Sequence, residues 1–249
     1  MARLAEIIDY CNRRLQVAGF EDYCPNGLQV EACRQVDRIV TGVTASLDLV
    51  EKAAGLGADL LLVHHGYFWK SEPQPLTGMK GRRVAALYRA GMSMAAYHLP
   101  LDAHPELGNN ALLGALLGVD GAGPLEEGSL VWGGRLGEPL TPEVLAERIR
   151  EVTAREPLWL DGGESRIERL AWCTGAAQGF IDEAADHGYH AFISGEVSEA
   201  TFHVARERGI HYYSAGHHAT ERYGIQALGE ELSREFDVIH RFLDLPNPV

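Results

Sequence analysis

Leu60-Leu61-Leu62-Val63-His64-His65-Gly66 is the stretch whose reading decides the fold. Four aliphatic residues between Asp59 and Gly66 predict a short strand buried on both faces, as in a parallel sheet. Two histidines then stand at its carboxyl end, where open α/β sheets place their ligands. Neutral imidazole is the commonest metal-ligating side chain, so this pair calls for partners. Two other stretches offer them: His98-Leu99-Pro100-Leu101-Asp102 and His217-His218-Ala219-Thr220-Glu221. Each follows an apolar run, 94–97 and 212–215, and each sets a carboxylate four residues after a histidine.

The flanking sequence supplies the rest of an α/β domain. Leu4, Ile7, Ile8, Cys11 and Leu15 recur at helical spacing and predict an amphipathic helix over 3–17. The turn Pro25-Asn26-Gly27 leads into a strand at 28–30, and 38–43 reads as a buried strand. Ser46 caps the following helix, which stops near Gly55 or Gly57. Residues 67–80, with Tyr67, Phe68, Trp69 and two prolines, read as a loop. Helix 82–90, strand 92–98 and helix 110–117 follow. Residues 121–166 differ in character: a bent strand at 130–136, a helix opened by Thr141-Pro142, and a further strand at 157–160.

The second half restates the first. Residues 38–43 find an echo in 170–176, 51–59 in 182–190, and His64-His65 falls opposite Gly195-Glu196. Helix 82–90 falls opposite 198–208, and His98-x-x-x-Asp102 opposite His217-x-x-x-Glu221. The shared β-α-β-α-β-α order predicts an internal duplication: two related α/β lobes whose strand ends converge on one site. The expected division is 1–120 for the first lobe, 121–166 for a connector or insertion, and 167–249 for the second lobe.

Composition bounds the function. The 249 residues carry a formal charge of −13, with 46% hydrophobic and 23% charged residues, ordinary for a soluble globular protein. That charge disfavours nucleic acid and anionic membranes as partners. The N-terminus lacks a signal-peptide core and no run approaches transmembrane length, so the expected location is the cytoplasm. Cys11, Cys24, Cys33 and Cys173 form no C-x-x-C pair and read as reduced thiols. No dinucleotide fingerprint, Walker sequence or nucleophile elbow is present. Cys173 at a strand end reads as a small core residue rather than a nucleophile.

The chemistry that remains is a metal centre. His64, His65, Asp102, His217 and Glu221 are the expected ligands, with His98 close by. Histidines with carboxylates suit zinc, iron, manganese, nickel or cobalt and are too nitrogen-rich for calcium or magnesium alone. Five or six ligands exceed one tetrahedral zinc, so the expected cofactor is two divalent transition-metal ions per chain. His217 and Glu221 share a face if a helix starts there. His98 and Asp102 are not expected to, because Pro100 between them predicts extended or turn backbone. His98 and Glu196 are the candidates for catalytic proton transfer, Glu196 reading equally as a structural carboxylate. His218 is a candidate to orient a ligand or to face a substrate, and Tyr67, Phe68 and Trp69 either line a pocket or plug the core.

Six segments carry a resemblance to a known family. They are 25–30 (PNGLQV), 40–46 (VTGVTAS), 63–70 (VHHGYFWK), 98–110 (HLPLDAHPELGNN), 195–199 (GEVSE) and 215–222 (AGHHATER). In order and over nearly the whole chain, they resemble the Nif-three-like dinuclear metal-centre family, particularly its short bacterial YbgI-type members. The resemblance implies two intertwined α/β lobes with a di-metal site at their junction. It carries the ligand roles to His64, His65, Asp102, His217 and Glu221, with Glu221 bridging both ions, and implies a toroidal homohexamer. Members commonly bear the label GTP cyclohydrolase 1 type 2 homolog, which implies a nucleotide- or pterin-like small-molecule substrate. Two function classes follow. One is a metal-dependent hydrolase working through a metal-bridging water. The other is a non-catalytic metal-binding or metal-delivery protein.

Overall fold

The run Leu60–His65 is a strand, and its first five residues have no exposed surface. Each such Leu or Val contributes roughly 1.5–3 kcal/mol by leaving water. In the computed structural model, which describes residues 1–249, this strand sits at the centre of one of two units. The first unit holds 1–101 and 224–246; the second holds 102–223 and 247–249.

In chain order, the first unit opens with β1 (Ala2–Arg3), α1 (Leu4–Arg14), β2 (Gly27–Val30) and β3 (Gln35–Val36). It continues with β4 (Arg38–Thr44), α2 (Leu47–Gly55), β5 (Leu60–His65), α3 (Gly78–Ala90) and β6 (Ser93–Ala96). The short helix α4 (Leu99–Ala103) carries the chain across the boundary. The second unit begins with α5 (Asn109–Leu116), β7 (Val119–Pro124), β8 (Trp132–Leu140), α6 (Pro142–Thr153) and β9 (Leu158–Leu160). Then come β10 (Ile167–Trp172), α7 (Ile181–Asp186), β11 (Ala191–Ser194), α8 (Glu199–Arg208), β12 (His211–Ser214) and α9 (His217–Thr220). The chain returns to the first unit through α10 (Arg222–Phe236) and β13 (Ile239–Phe242).

The first unit's main sheet runs β13-β4-β5-β6-β2, with β2 alone antiparallel to its neighbour. The second runs β7-β8-β10-β11-β12-β9, and its β10-β11-β12 core is parallel. The duplicated order is therefore physical: β4-α2-β5-α3-β6 and β10-α7-β11-α8-β12 are the same β-α-β-α-β unit. Each also has an antiparallel strand beyond its third member, β2 on β6 and β9 on β12.

Packing follows the strand period of two. In the second unit Leu170 and Trp172 face a core with Leu113, Leu145 and Ile149 of α5 and α6. The alternate residues Ala171 and Cys173 face Ile181, Ala184 and Ala205 of α7 and α8. In the first unit Leu49, Val50 and Ala53 of α2 and Leu87 of α3 cover Val40, Leu61 and Val63. Helix starts follow the capping chemistry: Ser46 accepts from Leu49 N and Thr141 from Val144 N.

Three readings of the sequence change. Residues 121–166 are not a separate connector: β8 hydrogen-bonds to β10 and β9 to β12, so the segment builds the second unit's sheet. The unit boundaries also fall elsewhere than 120 and 167. Asp102 already belongs to the second unit, and 224–246 returns to the first because β13 pairs with β4. Finally, Leu99–Ala103 is helical despite Pro100. The proline sits in the first turn, where its missing N–H costs no hydrogen bond. No helix is long and apolar enough to cross a membrane.

Candidate metal centre

In the first unit the parallel neighbours β4, β5 and β6 bring three imidazoles together. The ring of His64 lies 4.5 Å from His65 and 5.2 Å from His98, and His65 lies 5.6 Å from His98, centroid to centroid. One nitrogen from each lies within 4.8 Å of the others. All three rings are anchored through Nδ1. His64 Nδ1 donates to the Tyr97 carbonyl at 2.8 Å, and His65 Nδ1 pairs with the Thr44 hydroxyl at 3.2 Å. His98 Nδ1 donates to Asp22 Oδ1 at 2.7 Å. Register explains one anchor: Thr44 stands directly opposite His65 across the β4–β5 pair. A neutral imidazole that donates through Nδ1 carries its lone pair on Nε2, the usual arrangement of a metal-ligating histidine.

Asp22 is nearly inaccessible, with 3% of its side chain exposed. Burial by itself would raise its carboxyl. Bonds from His98 and from Asn26 Nδ2 outweigh burial and bring it down to about 2. Asp22 Oδ2 also accepts from Leu99 N, while Asn26 Oδ1 accepts from His98 N. His98 is thus gripped at ring and backbone by residues of the turn before β2. Cys24 lies with Asp22 and His98 in a second cluster of ligand-type atoms. Burial pushes its thiol up to about 12, so at neutral pH it is a protonated core group.

In the second unit, α9 places His217 and Glu221 one turn apart, with Nε2 to Oε2 at 3.1 Å. Glu196, after β11, meets the other nitrogen of the same ring: Nδ1 to Oε1 is 2.7 Å. Burial works against a charged ring here. The Glu221 and Glu196 carboxylates outweigh it and push His217 up to about 9. An oxygen of Asp102 lies within 4.8 Å of one of Glu221, and both side chains are buried. Asp102 is held through Oδ1, which accepts from Asn109 Nδ2 at 2.8 Å and Thr174 Oγ1 at 3.3 Å. Asn110 completes this buried network, donating to the Asp102 carbonyl and accepting from Thr174 N. Gly175 turns with φ +71°, and a Cβ there would come within 2.2 Å of Glu221 Oε1. Only glycine leaves the carboxylate its place.

Each unit therefore gathers its own share of the expected residues: His64, His65 and His98 in one, Asp102, His217, Glu221 and Glu196 in the other. The donor chemistry of both groups fits borderline divalent ions. Tyr67 acts as the core plug, buried with its hydroxyl on the Ala45 carbonyl, whereas Trp69 makes a T-shaped ring pair with His98, centroids 4.9 Å apart. His218 is buried and donates its backbone N–H to Val249 O. Other histidines have structural roles: Nδ1 of His104 accepts from Glu106 and Leu107 N–H, and that of His190 from Glu168 N–H. Burial holds the Cys173 thiol well above its usual range, which suits a core residue and not a nucleophile. Asp22, Asn109, Thr174 and Gly175 were missed. Asn109 stands in the quoted 98–110 segment and Thr174-Gly175 in the 170–176 echo of 38–43, whereas Asp22 acts through a contact that no local spacing encodes.

The chain matches the family model described as Duf34/NIF3 (NGG1p interacting factor 3) over residues 2–248. A protein named GTP cyclohydrolase 1 type 2 homolog from Pseudomonas aeruginosa is 52% identical over 248 residues, covering 98% of both chains. Among solved structures, one described as protein ybgI, of unknown function, is 50% identical with a TM-score of 0.96 and full coverage of both chains. The crystal structure of TTHA1606 from Thermus thermophilus is 32% identical, with a TM-score of 0.91 and full coverage of both chains.

Proposed function

The chain belongs to the Duf34/NIF3 family, and on that premise we propose that it is a dinuclear metal-dependent hydrolase. In this reading His64, His65, Asp102, His217 and Glu221 hold two divalent transition-metal ions, with Glu221 shared between them. The observation that carries it is the anchoring of the ligand side chains. The imidazoles of His64, His65 and His217 are tied through Nδ1 to protein oxygens, and Asp102 is held by Asn109 and Thr174. Side chains fixed in this way lose little freedom on taking up an ion, which is the pattern of a built metal site.

Ions held there would supply Lewis acidity, bringing the pKa of a water toward neutrality. The chain's own residues do the rest. Glu196 holds His217 through Nδ1 and in this reading exchanges a proton with the leaving group, work typically worth about 10²–10⁴-fold. Trp69, whose ring centroid lies 5.9 Å from that of His65 and 4.9 Å from that of His98, is in this reading the residue that stacks on a planar substrate. The name shared by the relatives points to a purine nucleotide or pterin-like substrate. The homohexamer and the cytoplasmic location expected from the sequence belong to the same reading, the former checked by light scattering.

The test is a hydrolysis screen of purine nucleotides and pterins on protein reconstituted with zinc, manganese, iron, cobalt or nickel. Turnover in at least one metal form is expected, and Asp102→Asn should lose it together with the metal. Hydrolysis that persists in chelator-stripped Asp102→Asn protein would assign the activity to a contaminant. Tight metal with no turnover, passed on to an apoprotein, would replace the hydrolase with a metal-delivery protein.

A further inference from the structure

Phe68 stands where a bulky residue is least at ease. Its φ of +65° lies in the left-handed region, which the chain otherwise gives to glycines and to Gln16, Ala154 and Asp237. An aromatic residue there is a strained outlier, and such strain persists only where the surroundings over-determine it. Here they do. Phe68 N–H donates to Glu72 Oε2 at 2.9 Å, and Lys80 Nζ lies 3.7 Å from the same oxygen and 5.5 Å from the centre of the Phe68 ring. Lys80 is itself only 11% exposed and also donates to the Pro73 carbonyl. The rest of the loop is equally well tied. Tyr67 N–H donates to Gln29 Oε1 at 2.7 Å, Lys70 N–H to the Tyr23 carbonyl at 2.8 Å and Glu72 N–H to the Trp69 carbonyl at 2.9 Å. Gly66 admits this course, since a Cβ there would come within 2.3 Å of Gln29 Oε1.

What the left-handed turn delivers is Trp69. Its ring folds back so that Nε1 donates to the Gly66 carbonyl at 3.2 Å, with the centroid 5.9 Å from that of His65 and 4.9 Å from that of His98. With its one N–H spent, this partly exposed indole recognises a ligand through its π surface and not by hydrogen bonding. We propose that residues 66–72 form a pre-built recognition arm for a flat aromatic ring, in which Phe68, Glu72 and Lys80 are positioning residues that hold Trp69 beside His65 and His98. The proposal rests on the stacking role of Trp69 and names what fixes it. Pre-organisation is the physical gain: an indole already held in one place loses little freedom when a ring stacks on it. Lys80 acts through Glu72, and Glu72 through the Phe68 backbone.

The experiment titrates guanosine monophosphate into the full chain carrying 5-fluorotryptophan, in the presence of zinc, and reads it by ¹⁹F NMR. Ribose 5-phosphate is the ringless control, and Trp69→Phe assigns the Trp69 resonance. In wild type the nucleotide should move that resonance and ribose 5-phosphate should not. Trp69→Ala should weaken the nucleotide by on the order of 10–100-fold, the worth of a base stacked on an aromatic ring. Glu72→Ala and Lys80→Met should shift or broaden the Trp69 resonance before any ligand is added. Each should also weaken the nucleotide by at least about threefold, a part of the stacking contribution, with Lys80→Arg restoring both readings. Gly121→Ala, strained at a distant turn, should bind as wild type. If Glu72→Ala and Lys80→Met keep the wild-type resonance and affinity while Trp69→Ala loses the nucleotide, the positioning role is overturned and the stacking role stands. If the nucleotide leaves the wild-type Trp69 resonance unmoved, the stacking role falls and the proposal with it, whatever the hydrolysis screen finds. Should Glu72→Ala not fold, Lys80→Met and Phe68→Gly, which frees the backbone to leave the left-handed turn, decide by the same two readings.

Discussion

Gly175→Ala isolates the space that one glycine keeps open beside Glu221. The substitution has two separable costs. Gly175 has φ +71°, a conformation that costs an L-residue roughly 1–2 kcal/mol. In a domain of this size that lowers Tm by roughly 2–4 °C per kcal/mol. The second cost is local. The new Cβ would lie 2.2 Å from Glu221 Oε1 and 3.3 Å from His217 Nε2. Ordinary contact needs at least 3.4 Å, so the carboxylate must retreat by about 1.2 Å. Metal–ligand distances tolerate about 0.2 Å. Glu221 is the residue we assign to both ions, so a retreat several times that tolerance should weaken both, by on the order of 100-fold. Gly121→Ala is the matched control: φ is +63° and nothing lies within 4 Å of its Cβ. Calorimetry of the metal-free variants should show similar losses of Tm, whereas zinc titration should show a collapse of affinity in Gly175→Ala alone. Equal zinc affinity in the two variants would refute the assignment of Glu221.

Thiol labelling gives a second prediction. Burial pushes Cys11 and Cys24 up to about 12 and Cys173 well above its usual range, while Cys33 is only partly buried. A thiol reagent on native protein at neutral pH should modify Cys33 first, the other three reacting only on unfolding; native labelling of Cys173, read by peptide mass spectrometry, would contradict this. The third concerns pH. His240 bonds the Thr41 hydroxyl at 2.8 Å, and burial lowers its pKa from 6.5 in the fold. The unfolded chain therefore takes up this proton first as pH falls, so stability drops as pH passes down through about 6.5. Urea unfolding at about pH 7.5 and about 5.5 should show a smaller loss in His240→Gln than in wild type, and equal losses would remove His240 as the cause.

The strand ends and their histidines were legible because a buried parallel strand has a local signature. Leu60–Val63 are continuous aliphatics, and the capping hydroxyls of Ser46 and Thr141 mark helix starts within three residues. The duplication was legible as an order of elements, since its identities are few but its strand ends are polar in the same places. The paths between elements were not. Pro100 reads as a helix breaker unless the helix is known to begin at Leu99, and no pattern says that β13 returns to pair with β4. The same holds for Asp22. Its bond to His98 spans 76 residues, and an isolated aspartate in a loop gives no periodicity to read.

The metal content of the reconstituted protein tests the central claim most directly. Wild type and Asp102→Asn would be stripped with chelator, loaded separately with zinc, manganese, iron, cobalt and nickel, desalted and measured by elemental analysis. The account predicts about two ions per chain in wild type for at least one of these metals, and loss of metal in Asp102→Asn. One ion or fewer per chain for every metal, or an Asp102→Asn protein that retains two, would contradict it.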